Sequence, residues 1–204
     1  MTATIRRTQA ERTAQTTARL LEATVSALVE LGYQGASTTE IAQRAGVSRG
    51  ALLHHFPTRA ELWVAAGEWL VERHIEQFRT AMSAISDESH RIDAAVDLLW
   101  QICSSDEHQA WFELSISARH EPELAATITT LAGHIRDRVR QTWAATFPEL
   151  QGRPLATVAP DFTLSLLEGQ AAHQMIDPDP PAAAAVISAL KELAALHLVE
   201  TETP

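Results

Sequence analysis

The chain has 204 residues, which is enough for one large domain or two smaller ones. Hydrophobic residues make up 46% of the sequence, which excludes a disordered chain, and the single cysteine, Cys103, excludes an internal disulfide and fits a reducing compartment. The sequence has no apolar run of the roughly 18 residues that a membrane span needs, and its first residues lack the apolar stretch of a signal peptide. We therefore expect a cytoplasmic protein with no membrane partner.

The net charge of −10 argues against a nucleic-acid partner, but the charge is unevenly distributed. Residues 1–60 contain 7 arginines and 4 glutamates, whereas residues 61–204 contain 9 basic and 22 acidic side chains. A basic head on an acidic body is consistent with binding of a polyanion. An uneven surface without functional meaning explains the charges equally well.

Apolar residues recur at helical spacing along most of the chain, and no alternating strand pattern occurs, so the predicted fold is all-α. The first helix is expected at residues 10–31, with Gly32 as its C-terminal cap. Two short helices follow, and a fourth runs from Thr58 to about residue 82. The remaining helices, which bring the total to about nine, are expected near residues 90–103, 106–119, 121–147, 155–176 and 181–198.

The segment from Ser37 to Phe56 predicts two short helices joined by a tight turn. Ser37 and Glu40 have the spacing of a capping box, in which each side chain bonds to the backbone N–H of the other residue. Gly46 permits the positive φ that ends a helix abruptly, and Ser48 can cap the next helix. This arrangement is a helix-turn-helix motif.

The second short helix is expected to bury Leu52 and Phe56 and to expose its other side. Gly50 is unfavourable inside a helix, which suggests that another surface approaches closely there. A helix of this size fits the major groove of DNA, where Arg49 could bond to a guanine. The candidate contacts to double-stranded DNA are Thr38, Thr39, Gln43, Arg44, Ser48, Arg49, Gly50, Leu53, His54, His55 and Arg59.

The pattern T-x-x-x-IA-x-x-AGVS-x-G-x-L-x-HF-P in residues 38–57 resembles the TetR/AcrR family of bacterial transcriptional regulators. The resemblance extends over residues 14–74, and the rest of the chain matches only in being helical. It implies a DNA-binding domain at residues 1–57 and an effector-binding and dimerisation domain at residues 58–204. It also implies a repressor that a small molecule releases from DNA, with an activator or dual regulator of the same fold as the alternative.

Three positions depart from the family pattern. The family commonly has Thr-Leu-Tyr where this chain has Ala51-Leu52-Leu53, and lysine where it has Arg59. The missing tyrosine hydroxyl removes one expected phosphate contact, which either His54 or His55 could supply.

One recognition helix reads few base pairs, so we expect a two-fold homodimer on a palindromic operator. The last two predicted helices carry a wide apolar face, and the family dimerises through these helices. Packing within the chain's own core is the rival explanation of that face. The predicted interface residues are Phe162, Leu166, Gly169, His173, Val186, Leu190 and Leu193.

Bulky side chains in the middle helices could surround a cavity for a small apolar or aromatic effector, as the resemblance implies. Each of them could equally be an ordinary core residue. The candidate lining residues are Trp100, Cys103, Trp111, Phe112, Ser115, Ile116 and Trp143.

No pattern in the sequence indicates catalysis, a metal site or a cofactor. The nine histidines form no H-E-x-x-H pattern, and no glycine-rich phosphate loop or G-x-S-x-G motif occurs. A helical enzyme would need paired catalytic groups, and a helical interaction module would not need a basic head. We therefore predict a DNA-binding regulator that is not an enzyme.

Overall fold

The computed structural model describes residues 8–87, 90–153 and 155–196, apart from the side chain of Glu123. These residues form nine α-helices and two short 3₁₀ helices, without a strand, as the sequence predicts. None of the described helices is both long and apolar enough to cross a membrane. The helices are α1 Gln9–Gly35, α2 Thr38–Arg44, α3 Arg49–His55, α4 Arg59–Ser83, α5 Arg91–Cys103, α6 Asp106–Ser117, α7 Pro122–Thr146, α8 Ala159–Ile176 and α9 Pro180–Ala194.

The described residues divide into two compact units. Unit 1 comprises the described residues up to Leu70 together with Ala110–Thr129, and unit 2 comprises Val71–Gln109 and the described residues from Thr130 onward. The division falls within α4, α6 and α7 and therefore differs from the boundary at residue 57 that the sequence suggests.

The core of unit 1 joins helices from both of its chain segments. Leu20 of α1, Ile41 of α2, Leu52 of α3, Trp63 of α4 and Leu114 of α6 are all completely buried in one cluster. The helices α1, α2 and α3 therefore share their core with α4, α6 and the first part of α7. The apolar spacing of α1 predicts its share of this cluster, but no local pattern predicts the share of α6.

Both ends of α1 have clear local causes. At the N-terminus, Glu11 N donates to Thr8 Oγ1 at 3.2 Å, and Thr8 N donates to Glu11 Oε2 at 2.7 Å. This is a capping box, whose T-x-x-E signal is legible in the sequence but did not enter the prediction. Gly32, where the sequence predicts the C-terminal cap, is a kink with φ 66° and ψ 177°; the element continues to Gly35, and Ala36 N donates to Gly32 O at its end.

The start of α2 confirms half of the predicted capping box. Ser37 Oγ accepts a hydrogen bond from Glu40 N at 3.2 Å. The reciprocal bond was predicted wrongly, because Ser37 N instead donates to Gly35 O at 2.8 Å. The carboxylate of Glu40 accepts from Arg44 Nε at 2.7 Å.

The turn between α2 and α3 has the predicted geometry. Gly46 has a φ of 63°, and Val47 N donates to Ala42 O at 3.0 Å. Ser48 then caps α3 by accepting from Ala51 N at 3.1 Å. The glycine and the serine thus fix where one helix ends and the next begins.

The later helices are shorter than the sequence suggests. The residues before Ala159 form turns, so α8 begins four residues after its predicted start at residue 155. α6 ends at Ser117 and is followed by a 3₁₀ turn at Ala118–His120, because the approaching Pro122 disfavours a continued α-helix. α9 begins at Pro180, capped by the side chain of Asp179, and the predicted end near residue 198 lies outside the described residues.

We predict that Gly46→Ala lowers the free energy of unfolding by about 1–2 kcal/mol. A side chain is strained at positive φ, and the new Cβ would lie 2.7 Å from Arg19 Nη2. Gly133→Ala in α7 is the matched control, since its Cβ would meet no atom within 4 Å. Urea denaturation should report a gain of about 0.5–1 kcal/mol for the control, and equal effects of the two substitutions would contradict the prediction.

Candidate functional site

α3 has one buried side and one exposed side. Leu52 is completely buried and Phe56 is 9% exposed, and both pack in the core of unit 1. Arg49, Gly50 and His54 are exposed on the other side. The short helix is therefore held by its apolar residues and presents its polar residues to solvent.

The N-terminal part of the motif adds small polar groups to this surface. Thr39 and Gln43 of α2 are exposed, and Thr38 is half-buried. We use the name reading face for the following accessible residues among the DNA contacts that the sequence predicts in α2, the turn and α3: Thr38, Thr39, Gln43, Ser48, Arg49, Gly50, Leu53 and His54.

Arg44 is not part of the reading face, although the sequence predicts it as a DNA contact. Its guanidinium lies 2.7 Å from carboxylate oxygens of both Glu30 and Glu40, and it donates to Ser26 Oγ at 3.2 Å. These acceptors favour the charged form and raise the pKa of Arg44, with Glu40 contributing most. Because Glu30 and Ser26 belong to α1, these bonds of Arg44 join α2 to α1.

Arg59 likewise has partners inside unit 1, and its contact to DNA stays a prediction. Its Nη2 donates to the backbone oxygen of Tyr33 at 2.5 Å. Its guanidinium lies 4.3 Å from the ring centre of Tyr33 and 5.6 Å from that of Trp63. The hydroxyl of Tyr33 in turn donates to Glu121 Oε2 at 2.7 Å.

The two adjacent histidines at the end of α3 have different surroundings. His55 is half-buried, and its Nδ1 lies 3.2 Å from Thr17 Oγ1 of α1. His54 is exposed. Of the two residues that could replace the missing tyrosine hydroxyl, His54 is therefore the one that the structure places at the surface.

The geometry of α2 and α3 defines the class of protein. Two short helices share a buried core, and the exposed polar side of the second helix can enter a major groove, so this is a DNA-binding helix-turn-helix. Residues 20–66 match the family described as bacterial regulatory proteins, tetR family. The chain belongs to this family and is a DNA-binding transcriptional regulator, not an enzyme.

Relatives and solved structures agree with this assignment. An uncharacterised HTH-type transcriptional regulator of Mycobacterium tuberculosis is 34% identical over 148 residues, which cover 70% of this chain and 76% of the relative. The HTH-type transcriptional regulator CymR of Pseudomonas putida is 35% identical over 138 residues, which cover 68% of each chain. The crystal structure of a TetR transcription regulator from Haloarcula marismortui has a TM-score of 0.74 at 19% identity, covering 91% of this chain and 99% of that one, and so supports the fold.

Within unit 2, α8 and α9 expose large apolar side chains. Phe162 of α8 is 56% exposed and Leu193 of α9 is 47% exposed. A groove of about 530 Å³ runs along them. We call this the α8–α9 groove, and its lining residues are Leu155, Val158, Ala159, Asp161, Phe162, Thr163, Ser165, Leu190, Leu193 and Ala194.

The predicted interface residues separate into exposed and buried ones. Gly169 and His173 are exposed, like Phe162 and Leu193, whereas Leu166 and Val186 are half-buried. Leu190 is only 3% exposed and packs with Leu167 and Ile187 in the core of unit 2. The rival explanation of the apolar face, packing within the chain, therefore applies to Leu190, although one side of it borders the groove.

A separate cavity of about 110 Å³ lies among α4, α5, α6, α7 and α8 within unit 2. Cys103 and Trp143 line it, as the sequence predicts. Its lining residues are Val71, His74, Ile75, Phe78, Leu99, Ile102, Cys103, His108, Ile135, Val139, Thr142, Trp143, Pro160, Leu164 and Glu168. We call this the unit 2 cavity.

Five residues predicted for the cavity do not line it. Trp111 lies in unit 1, where its ring packs so closely that a Cβ on Gly67 would come within 2.2 Å of it. Ser115 donates to Trp111 O at 2.9 Å, and Ile116 is 47% exposed. Phe112 is half-buried in unit 1, and Trp100 is half-buried beside the cluster of Val96 and Cys103.

The cavity contains a polar group that the sequence did not reveal. The imidazole of His108 lies 3.2 Å from Glu168 Oε1. The ring of His74 lies 6.1 Å from that of His108, and burial lowers the pKa of His74 to about 4, with a smaller contribution from His108. Burial likewise raises the pKa of Cys103 to about 12, so at neutral pH His74 is uncharged and Cys103 is a thiol.

We predict that Gly50→Ala weakens binding to the specific DNA site by about 1–3 kcal/mol. The added methyl group would overpack the contact between α3 and the major groove of DNA. The free protein has room for the methyl group, since the nearest atom to a Cβ there is Ser48 Oγ at 3.9 Å. The free energy of unfolding of the variant should therefore rise by up to about 1 kcal/mol. Fluorescence anisotropy with labelled DNA and thermal denaturation measure the two effects.

Arg49→Ala provides the comparison for this measurement. It should also weaken specific binding by about 1–3 kcal/mol, through loss of a base contact, without raising stability to the same extent. Unchanged DNA affinity of Gly50→Ala would mean that α3 does not approach DNA closely at this residue.

Proposed function

We propose that this regulator is a homodimeric repressor that binds an inverted repeat in DNA and is released by a small molecule. The main observation in support of a dimer is the exposed apolar α8–α9 groove. Large apolar side chains of this kind are unfavourable in water and typically mark a protein–protein interface. An isologous two-fold contact would bury Phe162 and Leu193 of both copies.

The size of α3 supports the need for two copies. A helix of seven residues, Arg49–His55, contacts only a few base pairs, which is too little to select one site in a genome. Two such helices related by a two-fold axis read two half-sites roughly 34 Å apart. The operator is therefore a palindrome.

The unit 2 cavity supports control by a ligand. The reading face belongs to unit 1, so a molecule in the cavity does not compete directly with DNA. α4 and α7 each contribute residues to both units and offer a route for coupling. A ligand that favours the conformation with lower DNA affinity by about 1–3 kcal/mol is sufficient for release.

The dimer predicts a defined response to a charge in the groove. The wild-type chain should scatter light as a particle of twice the 22.3 kDa chain mass, and selection from random DNA should enrich an inverted repeat. Phe162→Glu and Leu193→Glu should give monomers, because each buries a carboxylate at the contact. Gel shifts should show that these monomers lose the enriched site.

Leu31→Glu is the matched control, because Leu31 is an exposed apolar residue of unit 1, 44% accessible. It should leave the dimer intact. Leu190→Glu is not a suitable test, since it would place a charge in the core of unit 2. A wild-type monomer at micromolar concentration would refute the proposed assembly.

The ligand pocket predicts selective loss of effector response. Val139→Phe should fill part of the unit 2 cavity and abolish release from DNA, while operator affinity without effector stays within a few fold. Native mass spectrometry of the freshly purified protein supplies a retained effector for the assay. Ile116→Phe, at an exposed position outside the cavity, should respond normally. A normal response of Val139→Phe would place the effector site elsewhere.

A further inference from the structure

Two residues that line the unit 2 cavity carry buried hydrogen-bonding atoms that have no partner among the described residues. The residues are Thr142 and Trp143, consecutive in α7, and the atoms are Thr142 Oγ1 and Trp143 Nε1. The two side chains belong to residues that are only 5% and 7% exposed. Buried polar groups normally have a partner, so such a pair beside a cavity points to a ligand that supplies one.

The chemistry of these two groups specifies the partner. The indole N–H of Trp143 can only donate, whereas the hydroxyl of Thr142 can donate or accept. An acceptor atom is therefore the group that can satisfy both. An oxygen with two lone pairs, as in a ketone, an ester or an ether, has that capacity.

The charges around the cavity argue against an ionised ligand. Glu168 lines the cavity and is the carboxylate beside His108, while none of the lining residues is an arginine or a lysine. A carboxylate ligand would lose its hydration beside Glu168 without an arginine or lysine to replace it. An ammonium ligand would meet Glu168, but it would leave the N–H of Trp143 without an acceptor.

The volume restricts the size of the ligand. The cavity measures about 110 Å³, and most of its lining side chains are apolar, including Ile75, Phe78 and Leu164. An engineered apolar cavity of about 150 Å³ in another protein binds benzene. The unit 2 cavity is smaller than that, so a molecule built on one ring is the largest ligand that it admits without substantial rearrangement.

Building on the proposed function, we infer that the effector is an uncharged molecule of about one ring, with an acceptor oxygen that binds Thr142 and Trp143. The apolar wall holds the ring, and the two α7 donors hold the oxygen. Glu168 excludes anionic analogues. The inference concerns the chemical class of the ligand, which the presence of a cavity alone does not determine.

The test compares four probes of similar size with the full-length chain by isothermal titration calorimetry. They are acetophenone, which has a neutral acceptor, ethylbenzene, which has none, benzoate and benzylamine. Acetophenone should bind roughly tenfold more tightly than each of the others, because it alone combines neutrality with an acceptor oxygen. It should also release the DNA site in a gel shift.

Thr142→Val is nearly isosteric and separates the hydrogen bond from the shape of the cavity: it should weaken acetophenone binding several-fold and leave ethylbenzene binding nearly unchanged. Trp143→Phe removes the N–H together with part of the ring, so its readout is the ratio of the two affinities, which should shift several-fold against acetophenone. Thr146→Val is the control on the same helix, because its hydroxyl donates to Thr142 O and the residue does not line the cavity. Trp63→Phe is the second control, since it removes an equally buried indole N–H in unit 1.

Different failures overturn different statements. Tighter binding of benzoate, benzylamine or ethylbenzene, abolished by Val139→Phe, would refute the ligand class and keep the cavity as the effector site. If Val139→Phe does not affect probe binding, both the ligand class and the assignment of the cavity as the effector site are refuted. If none of the four probes binds, the ligand class is wrong, while the response of Val139→Phe to a retained effector still tests the proposed function by itself.

Discussion

The direction in which α3 faces depends on the turn at Gly46. A φ of 63° ends α2 and starts α3 within a few residues, so that Leu52 enters the core while Arg49 remains exposed. Arg19 of α1 reinforces the turn by donating to the carbonyl oxygens of Ala45 and Gly46. These are the orphan acceptors that a helix end leaves behind, and here a side chain of the neighbouring helix satisfies them.

The sequence was sufficient to predict the helix-turn-helix because its determinants are local. Ser37 and Ser48 cap helices within three residues of themselves, and Gly46 sets the turn through its own φ. The internal partners of Arg44 and Arg59 were not predicted, because most of them come from elsewhere in the chain. Local spacing cannot reveal that Glu30 holds one guanidinium, or that the other stacks on an aromatic ring of α1.

The unit 2 cavity could be predicted only in part for a related reason. A cavity is the space that side chains of several helices leave unfilled, and no segment encodes it by itself. Of the bulky residues that the sequence singles out, Trp143 lines the unit 2 cavity, whereas Trp111 packs against Gly67 in unit 1 and does not line it. The pair of His108 and Glu168 joins residues of α6 and α8, so no spacing pattern in the sequence indicates it. Only the folded chain brings these two side chains together.

The internal bonds of the head arginines also determine how DNA binding responds to ionic strength. Among the described residues up to 60, Arg19, Arg44 and Arg59 are all engaged within unit 1, which leaves few cations for phosphates. If the reading face binds DNA as predicted, hydroxyl groups such as those of Thr39 and Ser48, together with backbone N–H groups, would provide much of the phosphate contact. Neutral donors release no condensed counterions, so the logarithm of the binding constant should fall less steeply with the logarithm of the salt concentration than the arginine count suggests.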